Sequence, residues 1–264
     1  MRPADTTELR EVAVDVARRA GRLLVEQRPE EGPAVVQTKT SPTDIVTAMD
    51  TAAERLIVAA LRAARPGDGV LAEEGGGAEG TTGVRWVVDP LDGSVNYLYG
   101  LPEWAVSVAA EIEGRTAVGV VAVPPRGELF SAVRGGGAWL GDVRLRSNRD
   151  VPLHLALVAT GFGYASDRRA RQAEVVRSVL PRVRDIRRGG SCAIDLCSVA
   201  CGRVDAYYER GMKPWDLAAG VLIAQESGAM VEGLRSRPAS GDLTIAAAPE
   251  TFRPLHDLLA PLNP

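Results

Sequence analysis

Three strand-like runs follow one another between short glycine turns, and this pattern constrains the fold more than any other feature of the chain. The runs are AVSVAAEI, then TAVGVVAV after Gly114, then ELFSAV after Gly127. Alternating β-branched, small and aromatic residues with turn residues at such short intervals are typical of consecutive strands. The segment from Trp104 to Arg134 therefore predicts an antiparallel meander.

Two helical patterns precede this meander. Apolar residues recur at helical spacing from Asp5 to Arg28, and Pro29 and Gly32 end the pattern. A second amphipathic stripe runs from about Asp50 to Ala64, before a Pro-Gly pair stops it. Two helices are therefore expected before any long strand.

Strand and helix patterns alternate after Gly141. Strands are predicted near LVATGFG, DIRRGG and VDAYYE, and helices are predicted over about 167–180 and over CAIDLCSVA. A nearly all-apolar helix, WDLAAGVLIAQES, comes next, and a helix that is apolar all round is a buried one. A strand near 243–247 and a closing helix over about 249–259 complete the pattern. Such alternation is typical of an α/β half.

Composition excludes several classes of protein. With 264 residues, 45% of them hydrophobic and 25% charged, the chain is long enough to bury a sizeable core and is unlike a disordered protein. Its net charge is -3, and its basic residues form no strongly basic stripe that could bind nucleic acid. Residues 1–10 carry charges of both signs without an apolar segment, and no run of about 20 apolar residues occurs, so neither a signal peptide nor a membrane span is expected. We therefore expect a cytoplasmic protein with small-molecule ligands.

The few soft metal ligands argue against zinc and disulfides. The cysteines are Cys192, Cys197 and Cys201, and the only histidines are His154 and His256. These residues fit neither a disulfide framework nor the spacing of a zinc site. We interpret the cysteines as small buried hydrophobic residues in a reducing compartment.

The string WVVDPLDGS, residues 86–94, places two aspartates at the end of an apolar strand. Pro90 fixes its own backbone angle φ and favours an extended conformation for Asp89. Asp89 and Asp92 are therefore presented from a tight turn, where two carboxylates can share a hard cation. A solvated Asp-Pro turn that caps a helix is the alternative interpretation.

A short helix is predicted to begin directly after these aspartates, at Gly93 and Ser94. The first N–H groups of a helix have no partner within it and are suited to a phosphate. The hydroxyl group of Ser94 would then lie beside a nucleophilic water. Phosphate and metal sites would coincide at this turn.

Further acids lie at the ends of other predicted elements. Glu73 and Glu74 follow a strand in LAEE, where an ordinary charged loop is the alternative. Asp216 stands at the N-terminus of the buried helix behind Pro214, and a simple helix cap explains it equally well.

The string KTSPTDIVTAMD adds Lys39, Asp44, Thr47 and Asp50 just before the second helix. Capping of that helix by Thr47 or Asp50 is the alternative to a functional role. The number of carboxylates at element ends, with hardly any histidine or cysteine, favours function. Ligand sets made only of oxygen select magnesium, manganese or calcium.

These strings resemble the inositol monophosphatase family, and most closely its bacterial inositol-1-monophosphatase branch. KTSPTDIVTAMD, LAEE, WVVDPLDGSVNY and YYERGMKPWDLAAG occur in the family's order and at its usual spacings. The similarity extends from about the first helix to the last strand. The resemblance implies an α/β (α+β) fold, a layered αβαβα sandwich. It also implies one catalytic unit over residues 1–264, with subdomains of about 1–148 and 149–264.

The resemblance further implies a Mg²⁺-dependent, lithium-sensitive phosphatase with two or three ions per site. The first ion would be held by Glu73, Asp89 and the backbone carbonyl of Leu91, and the second by Asp89, Asp92 and Asp216. In the family Glu73 and Ser94 help to orient the attacking water, and the backbone at Gly93 and Ser94 receives the phosphate. Lys39, Thr47 and Asp50 correspond to residues that support this cluster.

The alcohol part of the substrate is expected to contact the second half of the chain. Glu209 matches the family residue that hydrogen-bonds an inositol hydroxyl, and Asp92, Gly93, Ser94 and Asp216 complete the implied substrate site. Cys192 stands where the family usually has alanine, so the substrate pocket is expected to be slightly narrower or differently polar. Ser94 replaces the commoner threonine and keeps the hydroxyl group.

Several alternatives stay open at this level. Related folds hydrolyse histidinol phosphate, fructose 1,6-bisphosphate or 3'-phosphorylated adenosine nucleotides with the same metal-binding string. Inositol 1-phosphate is the first choice because of Glu209, and histidinol phosphate is the second. A homodimer is expected, and by family analogy so is contact with the transcription machinery. A purely regulatory binding protein is the less favoured alternative, because competent carboxylates occupy every implied ligand position.

Overall fold

A computed structural model describes residues 5–39 and 41–264 of the chain. The helices are α1 (Thr6–Glu26), α2 (Ala48–Ala64), α3 (Ser94–Tyr99), α4 (Ser166–Val179), α5 (Cys192–Ala200), α6 (Pro214–Glu226) and α7 (Pro249–Leu259). The strands are β1 (Val35–Thr38), β2 (Ile45–Thr47), β3 (Gly69–Ala72), β4 (Val84–Asp92), β5 (Ala105–Ile112), β6 (Arg115–Val123), β7 (Glu128–Val133), β8 (Gly137–Leu140), β9 (Val143–Arg144), β10 (Leu157–Thr160), β11 (Asp185–Arg187), β12 (Ala206–Glu209), β13 (Met230–Glu232) and β14 (Thr244–Ala247). The predicted helices and the main predicted strands all form.

The predicted meander is the centre of a large sheet. Across the described residues, this sheet has seven strands in the order β3-β4-β5-β6-β7-β8-β9. Each neighbouring pair from β4 to β9 is antiparallel, which confirms the meander, whereas β3 and β4 run parallel. Two parallel neighbours end at the same edge of the sheet, and this edge carries several of the predicted site residues.

The second half of the chain forms a smaller mixed sheet in the order β11-β10-β12-β14-β13. Strands β10, β11 and β12 are parallel, and β14 is antiparallel to both β12 and β13. Helices connect the parallel strands, as crossover connections require. The sequence alternation after Gly141 thus corresponds to an α/β half that also contains an antiparallel edge.

Helices and sheets alternate in five layers. Helices α1 and α2 pack on one face of the large sheet, and α5 and α6 pack on its other face. The opposite sides of α5 and α6 contact the small sheet, whose far face carries α4 and α7. The predicted αβαβα sandwich is therefore confirmed, and the all-apolar sequence of α6 follows from its position between two sheets. The boundary near residue 148 stays a prediction.

Close packing fixes the position of α6 on the large sheet. A β-carbon at Gly119 of β6 would lie 2.8 Å from the backbone oxygen of Ala219 in α6, so the helix and the sheet touch backbone to backbone. This contact fixes the distance between α6 and the sheet, and with it the position of Asp216 in the first turn of α6.

A capping box starts α2. The Thr47 side chain accepts hydrogen bonds from the N–H groups of Met49 and Asp50, and Asp50 Oδ2 accepts one from Thr47 N at 2.9 Å. Such reciprocal bonds satisfy N–H groups that have no partner within the helix. The capping role considered for Thr47 and Asp50 is confirmed.

Some short elements were not predicted from the sequence. These are strands β1, β2, β8, β9 and β13, which have two to four residues each. Strand β4 continues through Pro90 to Asp92, beyond the predicted strand end. In the part of the chain that the structure describes, no helix has both the length and the apolar character needed to cross a membrane.

Candidate active site

Acidic residues meet where the parallel pairing of β3 with β4 ends. The register pairs Ala72 with Val88, so Glu73 and Asp89 are the next residues on the two strands. Asp89 is 2% exposed, and its Oδ1 accepts a hydrogen bond from Leu91 N at 3.0 Å. Glu73, directly after β3, and Asp89, within β4, therefore present their carboxylates to the same place.

Burial and three neighbouring carboxylates all destabilise the ionised form of Asp89. Desolvation raises the pKa of Asp89 most, and the negative charges of Glu73, Asp92 and Asp216 raise it further. The charges of these residues can affect Asp89 in this way only if they lie close together. The structure thus brings one carboxylate from α6 and three from the edge of the large sheet to one site.

Asp92 is held in place by the start of α5. Its Oδ2 accepts hydrogen bonds from Ser191 Oγ at 2.6 Å and from Ala193 N at 2.7 Å. Desolvation of the carboxyl group raises the pKa of Asp92 to about 6, although these two bonds lower it. The orientation of Asp92 therefore depends on the junction between the two halves of the chain.

Asp216 has the capping position that its sequence suggested. Its Oδ2 accepts a hydrogen bond from Lys213 N at 2.6 Å, which closes the first turn of α6. Desolvation, followed by the charge of Asp92, raises the pKa of Asp216 well above its usual value. The two interpretations of Asp216 are therefore compatible, because one oxygen caps the helix while the carboxyl group faces the acidic site.

Lys39 partly neutralises this acidic edge. Its Nζ lies 2.7 Å from Glu73 Oε1 and 2.6 Å from Glu74 Oε1. Burial by itself lowers the pKa of Lys39, but the two carboxylates raise it overall. Glu54 of α2 fixes the same loop, because its carboxylate accepts hydrogen bonds from Glu74 N at 2.6 Å and from Gly76 N at 2.8 Å.

Thr47 and Asp50 lie beneath the acidic edge. Both are buried, at 0% and 2% exposure, and the Thr47 hydroxyl group donates a hydrogen bond to Asp50 Oδ2. Burial raises the pKa of Asp50 to about 6, although the bonds from Thr47 lower it, and the charge of Glu73 contributes to the rise. These residues are thus close enough to the cluster to influence its charge.

The turn between β4 and α3 requires glycine at position 93. Gly93 has a φ of 90°, and a β-carbon there would lie 2.6 Å from the backbone oxygen of Glu103. The left-handed backbone conformation is readily adopted only by glycine. Helix α3 begins at Ser94, as predicted, and places its first N–H groups directly after Asp92.

Glu209 lies at the end of β12 and is 7% exposed. Its Oε2 accepts a hydrogen bond from the Tyr207 hydroxyl group at 2.9 Å, and the same hydroxyl oxygen lies 3.1 Å from Cys192 Sγ. Burial raises the pKa of Glu209 to about 7, although the bond from Tyr207 lowers it, and the charge of Asp92 adds to the rise. Glu209 therefore faces the acidic cluster from the second half of the chain.

Tyr164, in the loop after β10, lies near the site and was not singled out from the sequence. Its backbone oxygen accepts hydrogen bonds from Thr43 Oγ1 at 3.1 Å and from Arg169 Nη1 at 2.6 Å. Burial of the phenol, followed by the charges of nearby carboxylates including Asp92 and Glu73, raises the pKa of Tyr164. A bulky residue in a loop after a strand gives no such signal in one sequence.

The donor set fits a hard divalent cation. All the clustered side chains offer carboxylate oxygen, which magnesium prefers, and a cation would relieve the mutual repulsion around Asp89. Among residues 5–39 and 41–264, no group of three acidic, histidine or cysteine side chains is already arranged to hold a metal ion. Asp92 and Asp216 are instead bonded to nearby protein groups. These bonds reach Oδ2 of each carboxyl group.

Sequence comparison agrees with the strings found above. The model of a family described as the inositol monophosphatase family matches residues 5–260. The inositol-1-monophosphatase SuhB of Mycobacterium tuberculosis is 45% identical, over 93% of this chain and 91% of the relative. The Nus factor SuhB of Escherichia coli is 43% identical, over 83% of each chain.

Structural comparison gives the same result for the fold. The extragenic suppressor protein suhB of Bartonella henselae matches with a TM-score of 0.89 and 36% identity, over 94% of this chain and 97% of that one. The layered sandwich is thus shared along nearly the full length of both proteins.

Proposed function

Because this chain belongs to the inositol monophosphatase family, we propose that it is a magnesium-dependent phosphomonoesterase. Its proposed substrate is inositol 1-phosphate, which it would hydrolyse to inositol and inorganic phosphate. The observation that carries this proposal is the convergence of Glu73, Asp92 and Asp216 on the buried carboxyl group of Asp89. A cluster of this charge is costly unless it binds cations.

The proposed ligands follow the family pattern. One magnesium ion would be held by Glu73, Asp89 and the backbone carbonyl of Leu91. A second would be held by Asp89, Asp92 and Asp216, and the family pattern includes a third, weaker ion. When bound, such ions lower the pKa of water and stabilise the charge on the leaving oxygen. Phosphate transfer depends mainly on such positioning and charge stabilisation.

The remaining groups orient the reactants. Glu73 and Ser94 would direct the attacking water towards phosphorus, and the backbone at Gly93 and Ser94 would receive the phosphate oxygens. Lys39 offsets the charge of Glu73 through its 2.7 Å ion pair. Displacement of the alcohol by water in line with the leaving oxygen gives inorganic phosphate without a covalent enzyme intermediate.

A substrate panel tests this function. Phosphate release is measured in millimolar Mg²⁺ from inositol 1-phosphate, histidinol phosphate, fructose 1,6-bisphosphate and a 3'-phosphorylated adenosine nucleotide, with and without Li⁺. The highest kcat/KM is expected for inositol 1-phosphate, with loss of activity in EDTA and inhibition by lithium. A much higher kcat/KM for histidinol phosphate would overturn the substrate assignment.

Magnesium is also expected to raise the melting temperature. Binding to the folded state alone stabilises it by mass action, by about 2.7 kcal/mol when the ligand is at 100 times its Kd. The acidic cluster adds to the effect because its repulsion is relieved. Differential scanning fluorimetry with increasing MgCl₂, and then with EDTA, measures the shift. An unchanged melting temperature at millimolar Mg²⁺ would contradict the metal site.

Relatives named Nus factor SuhB, among them that of Escherichia coli, favour a second role for the protein surface. We propose that the protein also contacts the transcription machinery and that it acts as a cytoplasmic homodimer. Light scattering after size-exclusion chromatography measures the oligomeric state. A pull-down with purified RNA polymerase tests the contact, and retention equal to that of a bead-only control would argue against it.

A further inference from the structure

A buried row of three hydrogen-bonded side chains links α5 to the end of β12. The hydroxyl oxygen of Tyr207 lies 3.1 Å from Cys192 Sγ and 2.9 Å from Glu209 Oε2. Tyr207 is 0% exposed, and Cys192 and Glu209 are 5% and 7% exposed. In such surroundings a polar group without a hydrogen-bond partner is costly, so the order of donors and acceptors is well determined.

The phenol has a single proton, so its hydroxyl group can donate only one of these two hydrogen bonds. A carboxylate is a much stronger acceptor than a thiol sulfur. The Tyr207 hydroxyl therefore donates to Glu209 Oε2, and the Cys192 thiol can donate in turn to the phenol oxygen. One oxygen of Glu209 is thus occupied from within the protein, which leaves Oε1 for a ligand.

A glycine holds Glu209 from the other side. Gly161 follows β10, which runs parallel to β12 with Thr160 paired to Tyr208. A β-carbon at Gly161 would lie 2.1 Å from the carboxyl group of Glu209. The carboxyl group therefore lies directly over the bare backbone of Gly161, between that backbone and the Tyr207 hydroxyl group.

We propose that Tyr207 is a positioning residue that, with Cys192 and Gly161, orients Glu209 to select substrates by their alcohol part. The selected class is phosphate esters whose leaving alcohol carries a further hydroxyl group that can donate to Glu209. Esters without such a hydroxyl group gain nothing from this arrangement. The inference rests on the proposed phosphatase function and deepens it.

Tyr207→Phe tests the inference, and Tyr208→Phe is its matched control. Tyr208 is the neighbouring residue on the opposite face of β12, where it is buried in the core between the small sheet and helices α4 and α7. Steady-state kinetics in Mg²⁺ compare inositol 1-phosphate with phenyl phosphate. In Tyr207→Phe we expect KM for inositol 1-phosphate to rise about tenfold, as for the loss of a hydrogen bond to a charged group. Its kcat, and both constants for phenyl phosphate, should stay near wild type.

Cys192 variants give a second test if Tyr207→Phe folds poorly. Cys192→Ala removes the donor to the phenol oxygen and should raise KM for inositol 1-phosphate about threefold, which is less than the loss of a whole hydrogen bond. Cys192→Ser keeps such a donor and should raise this KM less than Cys192→Ala does. Melting curves report the folding of each variant.

The possible outcomes separate the two proposals. Unchanged KM for inositol 1-phosphate in Tyr207→Phe, or an equal rise for phenyl phosphate, would overturn the positioning role while the phosphatase function stands. If Tyr207→Phe does not fold, unchanged KM in Cys192→Ala would overturn that role. If the wild-type protein hydrolysed neither inositol 1-phosphate nor phenyl phosphate, the proposed function would be overturned, and this inference with it.

Discussion

Replacing Glu73 with glutamine is expected to lower kcat/KM for inositol 1-phosphate by about 10³-fold, since each 1.36 kcal/mol of lost transition-state stabilisation costs about a factor of ten and a metal supplies several. Glutamine has nearly the shape of glutamate but lacks the charge proposed to bind magnesium and direct water. Glu73 also lies beside Asp89, so its charge contributes to the site directly. Phosphate release at saturating Mg²⁺ measures the loss.

Glu74→Gln is the matched control for this variant. Both side chains accept a hydrogen bond from Lys39 Nζ, at 2.7 Å for Glu73 and 2.6 Å for Glu74, so each substitution removes one negative charge beside the same lysine. Glu74 lies outside the proposed ligand set, and the Glu74→Gln variant should therefore keep most of the activity. Equal losses of activity in the two variants would show that a weaker ion pair with Lys39, rather than the loss of metal binding by Glu73, explains the lower kcat/KM.

The sequence predicted local structure well where a residue type has one dominant physical role. Pro90 and Gly93 indicated the turn after the strand, and the Thr47–Asp50 spacing indicated a helix cap. Strand β4 nevertheless continues through Pro90, because a shift of register between Asp89 and Asp92 lets the sheet accommodate a residue without an N–H group. Such an irregularity has no pattern that a single sequence would show.

Residues that support the site were missed although some of them follow simple spacing rules. Glu54 lies four residues after Asp50 and therefore on the same face of α2, from which it holds the loop that carries Glu74. Tyr207 lies two residues before Glu209 and shares its face of β12. Both are buried polar side chains, and burial is not visible in sequence. Their spacing could have suggested them.

The long-range part of the site depends on packing that sequence patterns do not encode. Asp216 faces Asp89 because α6 crosses the large sheet in close contact with it at Gly119. The strings around these residues gave no distance between them. Only resemblance to a known family placed them together in advance, and their roles as metal ligands stay predictions.

The metal-free protein is expected to lose stability as the pH rises from about 4 to about 7. In this window the folded state keeps protons that the unfolded state has released, because burial raises the pKa of Asp92 to about 6 and that of Glu209 to about 7, and raises the pKa of Asp89 as well. Chemical denaturation in EDTA at several pH values measures the trend.

Asp89→Asn separates this charge effect from metal binding. Asparagine removes the buried charge but keeps an oxygen that can accept the bond from Leu91 N. The variant should therefore be at least as stable as wild type in EDTA at pH 7, yet show no rise in melting temperature with Mg²⁺. It should also lose about 10³-fold in kcat/KM, because Asp89 is the proposed ligand of both ions.

Asp195→Asn provides the comparison that makes this result specific. Asp195 of α5 is also a buried carboxyl group, and burial together with the charges of Glu209 and Asp92 raises its pKa well above the usual value. It lies outside the proposed ligand set. Both asparagine variants should therefore be stabilised in EDTA, but only Asp195→Asn should keep its activity and its stabilisation by Mg²⁺. If Asp89→Asn kept both its activity and its stabilisation by Mg²⁺, the Asp89 carboxylate would not be a magnesium ligand. The comparison is specific because both variants relieve the repulsion between buried carboxylates.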